Sequence, residues 1–214
     1  MKRILCIVIF CIFLMFGAAP VSASPTVDVP TRIINVVYDD SGSMYSGVDT
    51  WCRAKYSMEV FSAMLGDTDK MNVYYMSDYC AGSSAPPRIS LNGIDGSDVN
   101  VAKIHNQKTI ANNTPFNAVK KAYSDLNTTN ADEKWLVILT DGEFEDGRMS
   151  SPEIDRYLAS KSQDIKVMFL GMGQNAAGIT EDVANNIYYV EATTNAQILS
   201  RITEICTRVF NSNK

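Results

Sequence analysis

Three short polar clusters carry the chemistry open to this chain. The first is Asp39-Asp40-Ser41-Gly42-Ser43, directly after the apolar run Arg32–Tyr38. The second is Asn112-Asn113-Thr114-Pro115, and the third is Thr140-Asp141-Gly142-Glu143, directly after the run Lys134–Thr140. Asp39, Ser41, Ser43, Thr114 and Asp141 all offer hard oxygen atoms. A hard divalent cation takes oxygen ligands and keeps several of its waters; Mg²⁺ fits best, with Mn²⁺ or Ca²⁺ as alternatives. Two carboxylates and three hydroxyls carry a formal charge of −2. That charge holds a dication yet leaves it able to attract an incoming carboxylate. Alternate positions 39, 41 and 43 let one loop curl around an ion, with Gly42 expected to relieve a tight backbone. Asp and Ser also cap helices, and for the first loop taken alone that reading stands beside metal binding.

These clusters need elements to bring them together. Short, nearly continuous apolar runs at Arg32–Tyr38, Met71–Met76, Lys134–Thr140, Ile165–Gly171 and Ile187–Val190 predict strands covered on both faces. Arg88–Leu91 is a candidate edge strand inside the Gly-, Pro- and Ser-rich stretch 82–96. Helical spacing is seen in Cys52–Leu65, where Ala54, Met58, Phe61 and Leu65 share one face. It recurs in Pro115–Leu126, where Pro115 suits a first turn, in Pro152–Ser160 and in Ala196–Phe210. Alternating strands and helices predict a doubly wound α/β fold, a mostly parallel central sheet flanked by helices. In such folds ligands bind beyond the carboxyl ends of the strands, where the strand order reverses.

The stretch VVYDDSGSMY resembles the first loop, written DxSxS, of von Willebrand factor type A (VWA) domains. NNTPFNAV is similar to their Thr-bearing second loop and LVILTDGEF to their Asp-bearing third, in the family's order across residues 31–210. The resemblance implies a Rossmann-like VWA fold and a metal-ion-dependent adhesion site. It implies Ser41 and Ser43 as direct ligands, with Thr114 joining them in the ligand-ready state. Asp39 and Asp141 would act mainly through water or switch with state. It also implies a protein partner whose Asp or Glu completes the coordination sphere. The one departure is Asn112-Asn113, where many relatives carry glycines before the Thr.

The chain opens with Lys2-Arg3, an apolar run Ile4–Phe16 and small residues ending at Val21-Ser22-Ala23, the form of a secretory signal peptide over 1–23. An uncleaved anchor is the alternative. Residues 24–30 read as an exposed lead-in, 31–210 as one domain and 211–214 as a tail. Cleavage leaves 191 of the 214 residues, with 17 basic against 24 acidic side chains and a formal charge of −7. No basic stripe exists to neutralise phosphates, so a nucleic-acid partner is not expected. No second apolar run is long enough to span a membrane. The expected location is secreted or cell-surface. Beyond Cys6 and Cys11 of the leader, Cys52, Cys80 and Cys206 remain. Cys52 and Cys80 fall at the same end of a parallel sheet, and export permits a disulfide between them. Cys206 belongs to the buried side of the last helix.

Asp40, Glu143, Glu145 and Asp146 read as acids that shape the rim and its field. Tyr45, Trp51 and Tyr79 are candidates for a ring around the metal face, with Trp51 equally a packing residue; Trp135, Tyr74 and Tyr75 read as strand core. His105 is expected at the surface. A serine hydrolase needs a positioned base, and His105, the chain's one histidine, is far from any nucleophile elbow. A phosphoryl-transfer enzyme needs a clamping cation, and Arg148 is the nearest one in sequence. The expectation is therefore a non-enzymatic, exported, metal-dependent adhesion module. A structural subunit of a surface assembly and a metal-dependent hydrolase are the alternatives.

Overall fold

The computed structural model describes residues 31–46, 48–107, 113–141, 144, 151–172 and 179–211. The expected leader and lead-in lie outside them. Six strands form one sheet: β1 Arg32–Tyr38, β2 Lys70–Tyr75, β3 Ile89–Asn92, β4 Glu133–Thr140, β5 Ile165–Met172 and β6 Ile187–Ala192. Their order is β3-β2-β1-β4-β5-β6, and every pairing is parallel except the antiparallel β2–β3 edge. The central strands β1 and β4 are buried along their whole length. Their largely apolar sequences reflect this, because a strand covered on both faces has no solvent side to encode.

The helices described are α1 Gly42–Ser46, α2 Val48–Ala63, α3 Ser97–His105, α4 Asn117–Thr128, α5 Ser151–Ala159 and α6 Asn195–Phe210. Val36 and Tyr38 of β1 pack with Met58 and Phe61 of α2, Ile104 of α3 and Ile205 of α6 on one face. Ile33 and Val37 point the other way, into Val119 and Leu126 of α4 and Ile154 and Leu158 of α5. The two-residue side-chain period of a strand thus feeds two cores. Trp135, Tyr74 and Tyr75 are buried strand residues, as read.

Among the elements, three departures from the sequence expectations stand out. Helix α4 starts at Asn117, so Pro115 precedes the helix and does not occupy its first turn. The edge strand is shifted by one residue, to Ile89–Asn92. Helix α3 was not anticipated. Its described buried residues are only Asn100 and Ile104, so it has no apolar stripe to betray it.

One buried polar residue seats α4, the helix that follows Thr114. Asn35, in the middle of β1, donates to the Ala122 carbonyl of α4 at 2.8 Å and to Tyr74 Oη at 3.2 Å. It accepts from Asn72 Nδ2 at 2.9 Å, and Tyr74 in turn donates to Asp125 of α4 at 2.8 Å. A buried network is stabilising only while its members stay satisfied. Asn35→Ala is therefore expected to lower unfolding free energy by about 2 kcal/mol in urea titration, with α4 the segment losing hydrogen-exchange protection first. A loss below about 0.5 kcal/mol would show that the network does not hold the helix.

Candidate functional site

The strand order reverses between β1 and β4, and both strands end at the same edge of the sheet. Tyr38 is in register with Leu139, and the Asp39 amide donates to the Leu139 carbonyl at 3.0 Å. Asp39 and Asp141 therefore leave adjacent parallel strands at the crevice where open α/β sheets bind ligands. Asp39 is fully buried and Asp141 nearly so. One Asp39 oxygen accepts from the Ser41 amide at 2.9 Å and the other from Thr140 Oγ1 at 2.5 Å. Ser41 and Ser43 hydroxyls lie 2.9 Å apart, and Ser43 Oγ donates to Asp141 Oδ1 at 2.9 Å. Two hydroxyls and a carboxylate thus form a continuous oxygen chain, and Asp39 orients the loop that carries its first member.

Thr114 is buried as well, and the nearby Phe116 ties its loop to that of Asp141. Phe116 and Phe144 meet edge-to-face with centroids 5.0 Å apart, two residues past Thr114 and three past Asp141. Such a contact fixes separation and angle together. Phe116 also packs on Tyr157 of α5, and Phe144 on Phe169 of β5.

The electrostatics of the crevice are unbalanced. Burial, and after it the charge of Asp39, pushes the Asp141 carboxyl up to about 6; the Ser43 hydrogen bond partly offsets this. Among the described residues no lysine, arginine or histidine pairs with Asp39 or Asp141. No cage of three or more His, Cys, Asp or Glu side chains occurs among the described residues either. The oxygen set at this crevice therefore relies on hydroxyls to complete itself. Hard oxygens around two uncompensated carboxylates suit a hard dication in donor type and charge.

Asp40 corrects an expectation. It is not on the rim: it is fully buried, and it accepts from the Ser77 amide at 2.9 Å and Ser77 Oγ at 2.5 Å. Burial raises its pKa, against those two hydrogen bonds. Arg88 reaches Ser77 Oγ at 3.3 Å, clasps Asp78 through bonds of 2.9 and 2.6 Å, and lies 4.0 Å over the Tyr75 ring. The first loop is thereby strapped to the segment after β2. Nothing in the spacing of Asp40 announces this role, because Ser77 and Arg88 reach it only through the fold.

Two further expectations fail. A Cβ at Gly42 would meet nothing within 4 Å, and Gly96 is the one described glycine with positive φ, so the loop does not need glycine at 42. Tyr79 does not ring the face: it is buried, and its hydroxyl donates to the carbonyls of Ala85 and Pro86 at 3.1 and 3.2 Å. His105 is exposed, as expected, with Nδ1 2.9 Å from Glu59 of α2. Cys206 is buried, and burial pushes its thiol up to about 11. Glu143, Glu145, Asp146, Arg148 and the side chains of Tyr45, Trp51 and Cys52 lie outside the described residues, so the Cys52–Cys80 pairing stays an expectation.

No family profile and no curated protein sequence matches the chain. Solved structures do. A D319A mutant of the PilB minor pilin from Streptococcus sanguinis superposes with a TM-score of 0.60 at 14% identity, over 88% of this chain and 64% of that one. The von Willebrand factor type A protein from Catenulispora acidiphila gives 0.58 at 13% identity, over 84% and 42%. The SpRpn10 VWA domain gives 0.54 at 12% identity, over 83% of this chain and 95% of its own. This chain has the VWA fold. It spans less than two thirds of the PilB and Catenulispora chains.

In this VWA fold the raised Asp141 pKa has a signed consequence for stability. The folded value of about 6 lies above the ordinary carboxyl range, so ionising Asp141 costs folding free energy. The cost is small at pH 4, grows as pH rises through the folded value of about 6, and levels off by about pH 7. In chelator, Asp141→Asn is expected to be about 1–3 kcal/mol more stable than the parent at pH 7.5, with the gap closing towards pH 4. Urea titrations at both pH values check this. A gap that is absent at pH 7.5, or the same at pH 4, contradicts the electrostatic reading.

Proposed function

We propose that the chain is an exported, non-enzymatic protein-binding module that captures a carboxylate of its partner through a divalent cation. Asp39, Ser41, Ser43, Thr114 and Asp141 would hold that cation, with Mg²⁺ favoured by the small hard-oxygen set. The observation that carries this reading is the crevice itself: two buried carboxylates, one holding the Ser41 amide and the other at the end of a chain of two seryl hydroxyls, with no positive partner among the described residues. The bound ion would supply residual positive charge to an incoming Asp or Glu.

The remaining work falls to the chain's own groups. Asp39, held by Thr140 and by the Ser41 amide, fixes the loop so that both seryl oxygens face the same point. Their hydroxyl protons rotate to donate to the partner or to Asp141, leaving lone pairs for the ion. The Phe116–Phe144 contact keeps Thr114 at a constant separation from the Asp141 loop. The one histidine pairs with Glu59 rather than with either serine, which supports a binding role over nucleophilic catalysis.

Export is inferred from residues 1–23, and a surface setting agrees with the similarity to a minor pilin and to SpaC, a pilus adhesin from Lactobacillus rhamnosus GG matched at a TM-score of 0.58. The pilin likeness also favours a second reading, a subunit of a surface assembly in which the cation locks a lasting interface.

Immobilised full chain incubated with surface proteins of the source cell tests both. The expected outcome is a defined set retained in Mg²⁺, released by chelator, and missing for Ser43→Ala and Thr114→Ala, each of which removes a single oxygen ligand. Retention of the same set in chelator overturns the cation reading. Release only after prolonged chelation selects the assembly subunit.

A further inference from the structure

Arg88 belongs to none of the three polar clusters, yet it reaches the first of them by two routes. It stands just before β3, where its amide donates to the Val73 carbonyl of β2 at 3.0 Å. Its guanidinium is mostly buried and is pinned by Asp78 through bonds of 2.9 and 2.6 Å. The polar route runs from Arg88 Nη2 to Ser77 Oγ at 3.3 Å, and from Ser77 Oγ to Asp40 at 2.5 Å. The aromatic route runs from Arg88 Cζ to the Tyr75 ring at 4.0 Å, and from that ring to Tyr38, edge-to-face at 5.1 Å. Tyr38, Tyr75 and Asp40 are all buried, where charge-assisted and ring contacts of this kind hold their geometry.

Tyr38 and Asp40 are the two chain neighbours of Asp39. Asp39 is thus held from both sides by groups that share one guanidinium. It passes this constraint on by accepting from the Ser41 amide at 2.9 Å, and the Ser41 and Ser43 hydroxyl oxygens stand 2.9 Å apart. An octahedral Mg²⁺ with oxygens at roughly 2.0–2.1 Å places adjacent ligands about 2.9 Å apart. Six-coordinate Ca²⁺, with oxygens at about 2.4 Å, needs a separation of about 3.4 Å. The seryl pair already has the smaller spacing, so Ca²⁺ requires the loop to open against its supports.

We infer that Arg88 is a positioning residue of the cation site, holding the first loop at the spacing that suits Mg²⁺ and opposes Ca²⁺. The inference rests on the cation reading proposed above. The guanidinium is occupied by Asp78, Ser77 and the Tyr75 ring, so it acts through the loop and not on the ion. Groups behind the ligands tune affinity in this way by fixing where the ligands stand.

Metal affinities of the full chain test it. Mn²⁺ binding is read by electron paramagnetic resonance, and Mg²⁺ and Ca²⁺ by competition against it. The variants are Ser77→Ala, which cuts the polar route, Ser77→Thr, which keeps the hydroxyl, and Arg88→Gln, which cuts both routes. Ser77→Ala and Arg88→Gln are expected to weaken Mg²⁺ about tenfold and Ca²⁺ less than about twofold, while Ser77→Thr stays within about twofold of the parent. A merely structural loss lowers the folded fraction and weakens both ions alike. Equal weakening of the two ions, or unchanged affinities in Ser77→Ala and Arg88→Gln, overturns the inference and leaves the cation reading standing. A parent chain that binds none of the three ions overturns both. Should Arg88→Gln fail to fold, the contrast between Ser77→Ala and Ser77→Thr decides.

Discussion

Asp39 and Asp141 leave neighbouring parallel strands at one crevice, both buried, and no lysine, arginine or histidine among the described residues neutralises either. Much of the molecule's arrangement is built around that imbalance. A buried carboxylate without a counter-charge takes up a proton, is stabilised by an outside cation, or is held by hydrogen bonds as Asp39 is. The raised Asp141 pKa, about 6, leans towards the first response. The hydroxyl chain from Ser41 to Asp141 is what makes the second response chemically available. The doubly wound topology supplies the crevice, and the placement of two acids there turns a general property of the fold into a particular site.

Such a site works only if its three loops keep their spacing, and three separate devices do this. Asp40, Ser77 and Arg88 strap the first loop to the segment after β2. The edge-to-face contact of Phe116 with Phe144 joins the second loop to the third. Asn35 seats α4 against β1, and α4 follows directly on the second loop. Asp40, Asn35 and both rings are buried, so each device is anchored in the core where its geometry is narrow. Of the five candidate residues Ser43 is the most open.

Much of this could be read from the sequence, for identifiable reasons. The strands are legible because burial on both faces favours nearly continuous apolar runs, as in Arg32–Tyr38 and Lys134–Thr140. The order of the three polar clusters, each beside a strand or helix end, indicated a shared crevice. What escaped was whatever depends on contacts distant in sequence. Helix α3 buries little beyond Asn100 and Ile104, so its periodicity carries no signal. Asp40 resembled a rim acid because its partners stand 37 and 48 positions further along the chain. Gly42 suggested a strained turn where the loop has room for a side chain. Tyr79 suggested a surface aromatic, yet it turns inward to hold the carbonyls of Ala85 and Pro86.

Diffraction from crystals of the full chain grown in Mn²⁺, recorded at the manganese absorption edge, tests the cation site most directly. The expected result is one anomalous peak in the crevice between β1 and β4, roughly 2 Å from the Ser41 and Ser43 hydroxyl oxygens, with Asp39 and Asp141 close by or joined through water. A crevice without a peak, or a peak held by other loops while the Asp39–Asp141 crevice stays empty, contradicts the account.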